Sequence, residues 1–272
     1  MAIASIIEKY CDLPGGIRKP LWRMWHNFIL KIDADSNLTL MNYGYAPTEG
    51  KPECLTLQEK DEAERYSIQL YDFVVSHEPV KEKNLLEVGC GRGGGASYIT
   101  RYLGPKSYIG IDLSENGIAF CNSYHKVPNL SFVVGDAMKI PFPDNQFDGV
   151  VNVESSRCYP DVPLFFREAR RVLKPAGAFY FTDMRWKADY QKLVSQIQDA
   201  GFAIEKQVEI TANVAKALDI DSQRREKMID GKIPKIFLTN FRQFAGVKGT
   251  ERYDSFASGD MQYWSFLLRS TK

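Results

Sequence analysis

Residues 84–95, Asn-Leu-Leu-Glu-Val-Gly-Cys-Gly-Arg-Gly-Gly-Gly, combine an acid with a glycine run. They read as a short buried strand that breaks into a glycine turn and opens a helix. Backbone amides at a helix start point outward and hold polar ligands. Glycine lets a ligand approach where a Cβ would block it. Glu87 stands two residues before the first glycine, where a carboxylate repels a pyrophosphate but suits hydroxyls or an ammonium group. Asp112 ends Ile-Gly-Ile-Asp, and Asp136 follows another apolar run in Val-Val-Gly-Asp-Ala. An acid at the first of these two places accepts both hydrogens of a ribose diol. One at the second meets an adenine amino group, with the amides of Ala137 and Met138 beside it. Each Asp alone is an ordinary cap or turn residue; in this order and spacing they point to a nucleotide-type ligand.

These residues need a scaffold that brings them to one edge. Strand-like runs at 84–88, 107–111, 130–134, 147–153, 177–182 and 202–208 alternate with helix-like periods at 94–103, 114–125, 161–173 and 187–200. Asp161 caps the third of these helices, and Lys174-Pro175-Ala176-Gly177 stops it. The alternation predicts an α/β fold, a doubly wound and mostly parallel sheet covered on both faces. Its carboxyl edge would carry Glu87, Asp112 and Asp136 on neighbouring strands. After 208 the chain turns polar and helical to about 245, then loop-like, and ends in a strand from Gln262 to Arg269. Ahead of the core, Leu21, Trp22, Met24, Trp25, Phe28, Ile29 and Ile32 form an apolar stripe with Arg18, Lys19, Arg23 and Lys31 off it. That stripe predicts a helix that packs on the core as a cap; peripheral membrane contact through 20–32 is the rival reading.

Composition narrows the function classes. Net charge is +1 over 272 residues, which gives no electrostatic pull toward nucleic acid. No apolar run approaches the roughly 20 residues of a membrane span. The first residues lack a basic start followed by an apolar core, which argues against a secretory signal and for a reducing, cytoplasmic setting. Five scattered cysteines and three separated histidines suggest neither a disulfide framework nor a metal site. Gly89, Gly91 and Gly94 also fit a dinucleotide fingerprint. An NAD(P)-dependent oxidoreductase is disfavoured by the late position of the motif and by Glu87.

The string Leu-Leu-Glu-Val-Gly-Cys-Gly-Arg-Gly, Asp112 and Gly135-Asp136-Ala137 resembles the seven-stranded class I S-adenosylmethionine-dependent methyltransferases, a Rossmann-like fold. Met-Asn-Tyr-Gly-Tyr (41–45), Val-Glu-Ser-Ser-Arg-Cys-Tyr-Pro-Asp (153–161), Glu-Ile-Thr-Ala-Asn-Val (209–214) and Phe-Ala-Gly-Val-Lys-Gly-Thr-Glu-Arg-Tyr (244–253) are similar to the small-molecule and lipid O-methyltransferases of the phthiotriol dimycocerosate type. The resemblance implies an N-terminal helical cap (1–75), a cofactor-binding core (76–208), a helical lid insertion (209–261) and a final core strand (262–272) set antiparallel between its neighbours. It implies that Glu87, Gly89 and Gly91 hold the methionine end of S-adenosylmethionine, with the glycine amides facing it. Asp112 would bind the ribose and Leu113 pack on the adenine. Asp136, Ala137 and Met138 would bind the base, Asn152 and Val153 line the sulfonium, and Tyr43 and Gly44 close the cofactor in.

Methyl transfer is an in-line displacement in which the protein aligns the reactants and excludes water. A hydroxyl nucleophile gains from a base. Similar enzymes often carry a histidine after the fourth strand, where this chain has Arg157, which is permanently charged and cannot be that base. Asp183, expected just beyond the fifth strand, is the candidate base, and Arg157 the candidate anchor for an anionic acceptor group. Glu154 reads as a buried structural acid. Ile233, Ile236, Phe237, Leu238, Phe241 and Phe244 suggest a lipophilic lining. The expected activity is methylation of a hydroxyl on a small or lipid-like metabolite, with carbon, nitrogen or carboxylate as alternative acceptors.

Overall fold

The computed structural model describes residues 38–49, 55–230 and 233–272. The tryptophan-bearing stripe at 20–32, Cys11, Cys54 and the side chain of Ile236 lie outside the described residues. Seven strands form one sheet: β1 (Asn84–Val88), β2 (Ser107–Asp112), β3 (Leu130–Val134), β4 (Phe147–Val153), β5 (Leu173–Trp186), β6 (Phe202–Glu209) and β7 (Met261–Ser270). Their spatial order is β3-β2-β1-β4-β5-β7-β6. β1 to β5 pair in parallel, and β7 runs antiparallel between β5 and β6. That placement of the last strand is the one the resemblance implied.

Side chains alternate across a strand, so consecutive residues of β1 feed two cores. Leu85 joins the side covered by α1 (Arg65–Val75), α2 (Gly94–Leu103) and α3 (Glu115–Tyr124), with Ile68, Val74, Ile99 and Ile118. Leu86 and Val88 join the side covered by α4 (Val162–Val172) and α5 (Tyr190–Asp199), with Phe165, Phe166, Leu193 and Ile197. Burial on both faces is why these strands are near-continuously apolar. Caps fall where the side chains dictate: Asp161 Oδ1 accepts from Leu164 N at 2.9 Å, and Ser114 Oγ from Gly117 N at 3.1 Å.

Two elements depart from the sequence expectation. The Lys174–Gly177 run does end α4 at Val172, but β5 begins at once, at Leu173. Ala176 takes a left-handed φ of 56°, and the pairing with β4 shifts register between Phe147 and Gly149. At its far end β5 stays paired with β7 out to Trp186↔Met261. Asp183 therefore lies inside β5, opposite Trp264, and not beyond its end. Between β6 and β7 the chain forms α6 (Thr211–Ile229), α7 (Leu238–Phe244) and α8 (Glu251–Ala257). The last of these replaces the expected loop; Thr250 Oγ1 caps it by accepting from Tyr253 N. Ile233, Phe237, Leu238 and Phe241 pack with Ile229 and Val247 into a small core of this segment's own.

Residues 38–49 cross the sheet edge as a strap without helix or strand, joined to Tyr66 O by Tyr45 N (2.9 Å) and to Asn213 O by Ala46 N (3.2 Å). No described helix is long and apolar enough to cross a membrane.

Gly95, at the start of α2, makes room for the ring that supports the first strand. A Cβ there would lie 2.0 Å from Tyr71 Cζ. Gly95→Ala is expected to destabilise the chain by about 1–3 kcal/mol, the usual cost of overpacking. Urea unfolding checks this, and unchanged stability would contradict the packing of Tyr71.

Candidate active site

β1, β2, β3 and β4 are parallel neighbours, so Gly89, Asp112, Gly135 and Glu154, each next to or at a strand end, share one sheet edge. The glycine turn is tight: Gly89, Gly91 and Gly93 have φ of 76°, 55° and 77°. Its amides are spent internally. Gly89 N and Cys90 N both donate to Ile111 O (2.8 and 3.0 Å), and Gly91 N donates to Asp112 Oδ2 (3.1 Å). This corrects the expectation that the Gly89 and Gly91 amides face a ligand; a turn this compact bonds its own N–H groups. What the glycines supply is space. A Cβ on Gly89 would sit 2.6 Å from Ser155 Oγ and Tyr159 Oη, in the loop after β4.

Glu87 is likewise beneath the turn rather than on it. It is 0 % exposed, and its two oxygens accept from Tyr71 Oη (2.8 Å) and Tyr108 Oη (3.0 Å). Burial raises its pKa to about 7, against the two tyrosine hydrogen bonds. Asp112 is buried, its Oδ1 accepting from Ser114 N (3.0 Å) and its Oδ2 from Gly91 N. The carboxylate thus ties the glycine turn to the end of β2. Leu113 beside it is only partly buried. Asp136 Oδ1 accepts from Met138 N at 2.9 Å, so that amide, too, is used within the loop; Ala137 is buried next to it.

Asn152 and Val153 close β4, both buried. Asn152 Nδ2 donates to Val88 O (2.8 Å) and Ser155 Oγ (2.6 Å), which fixes the amide orientation. Its Oδ1 is buried and has no hydrogen-bond partner. A buried acceptor without a donor implies a missing one. An orphaned carbonyl at the tip of β4, a turn that excludes a Cβ and a carboxylate at the tip of β2 fit S-adenosylmethionine, which brings an ammonium group and a ribose diol.

The loop after β4 carries the most constrained acid. Glu154 has a left-handed φ of 53°, a conformation that costs a non-glycine residue free energy and needs local support. Its Oε1 accepts from Tyr43 N (2.8 Å) and Tyr263 Oη (2.7 Å). Burial raises its pKa to about 7, with the carboxylate of Asp183 adding to the rise. Tyr43 and Gly44 are buried in the strap, and Tyr43 Oη donates to Phe244 O at 3.0 Å. Arg225 of α6 clamps the strap from the other side. Its Nη2 donates to Asn42 O and Tyr43 O (both 3.1 Å), its Nη1 to Ala245 O (3.1 Å), and its Nε to Asp221 Oδ2 (3.0 Å).

Asp183 is 0 % exposed. Its Oδ2 accepts from Ser156 Oγ (2.5 Å) and Arg157 N (3.0 Å) and pairs with Arg185 at 3.2 Å, while Oδ1 accepts from Met184 N (2.8 Å). Donors surround it, and from within β5 Asp183 anchors the turn that starts at Ser156. Arg157 Nη1 donates to Met184 Sδ at 3.1 Å. Glu154 and Arg225 were not singled out as functional from sequence. An acid directly after the fourth apolar run repeats the Asp112 signal; Arg225 carries no sequence signal, because the strap it holds is some 180 residues away.

Glu87 makes stability depend on pH. Its folded pKa of about 7 exceeds the ordinary 4.5, so its contribution is full below about 4.5 and is lost as pH rises through 7. Thermal unfolding of the free chain is expected to show declining stability over that window, with Glu87→Gln flattening it. An unchanged slope in that variant would contradict the buried, proton-binding state.

Residues 86–181 match the methyltransferase domain family. The chain is 36% identical over 252 residues to the phthiotriol/phenolphthiotriol dimycocerosates methyltransferase of Mycobacterium leprae, covering 90% of each chain. It is 41% identical over 202 residues to the fatty-acid O-methyltransferase of Mycolicibacterium smegmatis, covering 74% of this chain and 73% of that one. Among solved structures, geranyl diphosphate C-methyltransferase from Streptomyces coelicolor, in complex with Mg2+, geranyl diphosphate and S-adenosyl-L-homocysteine, superposes with a TM-score of 0.68 at 18% identity, over 94% of this chain and 99% of that one. The glycine turn and the acid at the second strand end thus sit in the fold that these proteins share, and this chain belongs to the S-adenosylmethionine-dependent methyltransferases of the phthiotriol/phenolphthiotriol dimycocerosates methyltransferase type.

Proposed function

We propose that the chain methylates a hydroxyl oxygen of a lipid-like metabolite and that Glu154 takes the proton released. The observation that carries this reading is the carboxyl of Glu154. It stands at the tip of β4 with a pKa raised to about 7. Oε1 is held by Tyr43 N and Tyr263 Oη, while Oε2 has no hydrogen bond to another described residue. A carboxyl with that affinity is deprotonated in part at neutral pH yet basic enough to accept a proton, which is the match general-base catalysis calls for. Asp183 is disfavoured for this role by its four donors. The name of the Mycolicibacterium smegmatis relative, a fatty-acid O-methyltransferase, supports a lipid acceptor and oxygen as the atom methylated.

In this reading Asp112 receives the ribose hydroxyls, Asn152 Oδ1 accepts from the ammonium group, and Leu113, Asp136, Ala137 and Met138 border the adenine. Gly89 and Gly91 keep the approach open, and Glu87 stiffens the turn from below. Bound S-adenosylmethionine supplies an electrophilic methyl group on sulfur. The chain's own part is to hold the hydroxyl in line with it, to accept its proton at Glu154 Oε2 and to exclude water. Water exclusion falls to Tyr43, Gly44 and the segment between β6 and β7, which acts as a lid latched by Arg225.

Two variants separate the roles. Glu154→Gln keeps an acceptor for Tyr43 N but cannot take a proton, and is expected to lower kcat roughly a hundredfold to ten-thousandfold while S-adenosylhomocysteine still binds. Wild-type turnover should rise with pH through about 7 as Glu154 loses its proton, and the variant should lack that step. A fast Gln variant, or no step near neutrality, would contradict the assignment. Asp112→Ala is expected to weaken S-adenosylhomocysteine binding by about 2 kcal/mol through lost charge-assisted hydrogen bonds. Calorimetry that finds unaltered affinity in a folded variant would remove Asp112 from the site.

A further inference from the structure

Asn42 O and Tyr43 N belong to one peptide group, and each end of that group meets a charged side chain. The N–H donates to Glu154 Oε1 at 2.8 Å. The carbonyl accepts from Arg225 Nη2 at 3.1 Å. A peptide unit is planar and trans, so its N–H and C=O point in opposite directions. Fixing the carbonyl therefore fixes the line along which the N–H can donate. A cationic donor on the carbonyl also polarises the unit and strengthens its N–H, because linked hydrogen bonds reinforce one another away from water. Arg225 and Glu154 thus act on each other across a single peptide plane, without a hydrogen bond between them.

The peptide is held still from two elements. Arg225 is buried in α6, and Asp221 Oδ2 fixes its Nε at 3.0 Å. Asp221 is itself buried, and Arg224 Nε and Nη2 donate to its two oxygens, both at 2.6 Å. From the side of α1, Ser67 O accepts from Asn42 Nδ2 at 3.1 Å, and Asn42 Oδ1 accepts from Gly44 N at 2.9 Å. Charged and titratable groups bear on Glu154 from several packed elements. They are Tyr43 of the strap, Tyr71 of α1, Asp183 of β5, Tyr263 of β7 and Arg225 of α6. Asp183 opposes ionisation of Glu154 and Arg225 favours it. Arg157 and Arg252 bear on Tyr43.

We infer that Arg225 is a positioning residue for the reaction: through the Asn42–Tyr43 peptide it aims and strengthens the N–H that holds the Glu154 carboxylate. The consequence for turnover rests on the proton transfer proposed above; the coupling between the two side chains does not. The same guanidinium also binds Ala245 O at 3.1 Å, just past α7. The segment that covers the site therefore reaches the base through one buried cation.

Infrared difference spectra, each taken against the same protein with Glu154→Gln added, report the protonation of Glu154; turnover reports its use. Arg225→Gln keeps an N–H donor for the strap but loses the charge. The midpoint of the Glu154 C=O band is expected to rise by about one pH unit in that variant. The rising limb of turnover should move with it, so that kcat at pH 7 falls about fivefold and recovers at higher pH. KM for S-adenosylmethionine should change little. Arg225→Lys keeps the charge without the fork and should lie between. In a Glu154→Gln background Arg225→Gln should cost no further turnover, because no carboxylate remains to be aimed. An unmoved midpoint in a folded Arg225→Gln chain overturns the inference. So does a midpoint that falls toward the ordinary 4.5, which would make Arg225 only a seal against water. Should the Gln variant fail to fold, the Lys variant decides by the same readouts. A raised midpoint with full-speed turnover in Glu154→Gln would sink the proton transfer and spare the coupling; a slow Glu154→Gln with an unmoved midpoint would do the reverse.

Discussion

The contact on which the candidate site depends is a single carboxylate oxygen, Glu154 Oε1, shared by the backbone N–H of Tyr43 and the hydroxyl of Tyr263. It joins the tip of β4, the strap and the last strand of the sheet. The contact also explains a conformation that would otherwise be expensive. A left-handed glutamate persists only if its surroundings over-determine it, and here two hydrogen bonds on the side chain and a backbone bond from Glu154 N to Thr182 O at 3.0 Å do so. The same enclosure that holds the residue removes water from it, and this is what lifts its pKa.

The strap is held from both sides. Arg225 grips the carbonyls of Asn42 and Tyr43, and Asp221 keeps the guanidinium in place. Asn42 braces the turn by donating to Ser67 O (3.1 Å) and accepting from Gly44 N (2.9 Å). The segment between β6 and β7 therefore does two jobs with one helix, α6: it packs on the sheet and fixes the backbone that touches Glu154. Beneath the glycine turn, Glu87 plays an analogous part with Tyr71 and Tyr108. Both acids accept hydrogen bonds from tyrosines, and in both burial outweighs those bonds and raises the pKa to about 7.

The scaffold was legible because its signals are local. Apolar runs buried on both faces named the strands, and Asp161 marked a helix start that the structure has at that place. What was not legible came from long-range pairing. Beyond Thr182 the pairing partner of β5 is β7, about 80 residues on, so the sequence around Asp183 reads as a strand ending when the strand in fact continues to Trp186. The glycine amides looked open because a string of residues does not reveal that Ile111 O and Asp112 will claim them. Glu154 read as a buried acid, as it is, but the partners that hold it, Tyr43 and Tyr263, stand 111 and 109 residues away and leave no local signal.

The proposed proton transfer depends on the protonation of one carboxyl, that of Glu154. Infrared difference spectra of the free protein, wild type against Glu154→Gln, isolate the C=O band of protonated Glu154 as pH is varied. The structure calls for that band to disappear with a midpoint of about 7. A midpoint near the ordinary 4.5 of a solvated glutamate would contradict it.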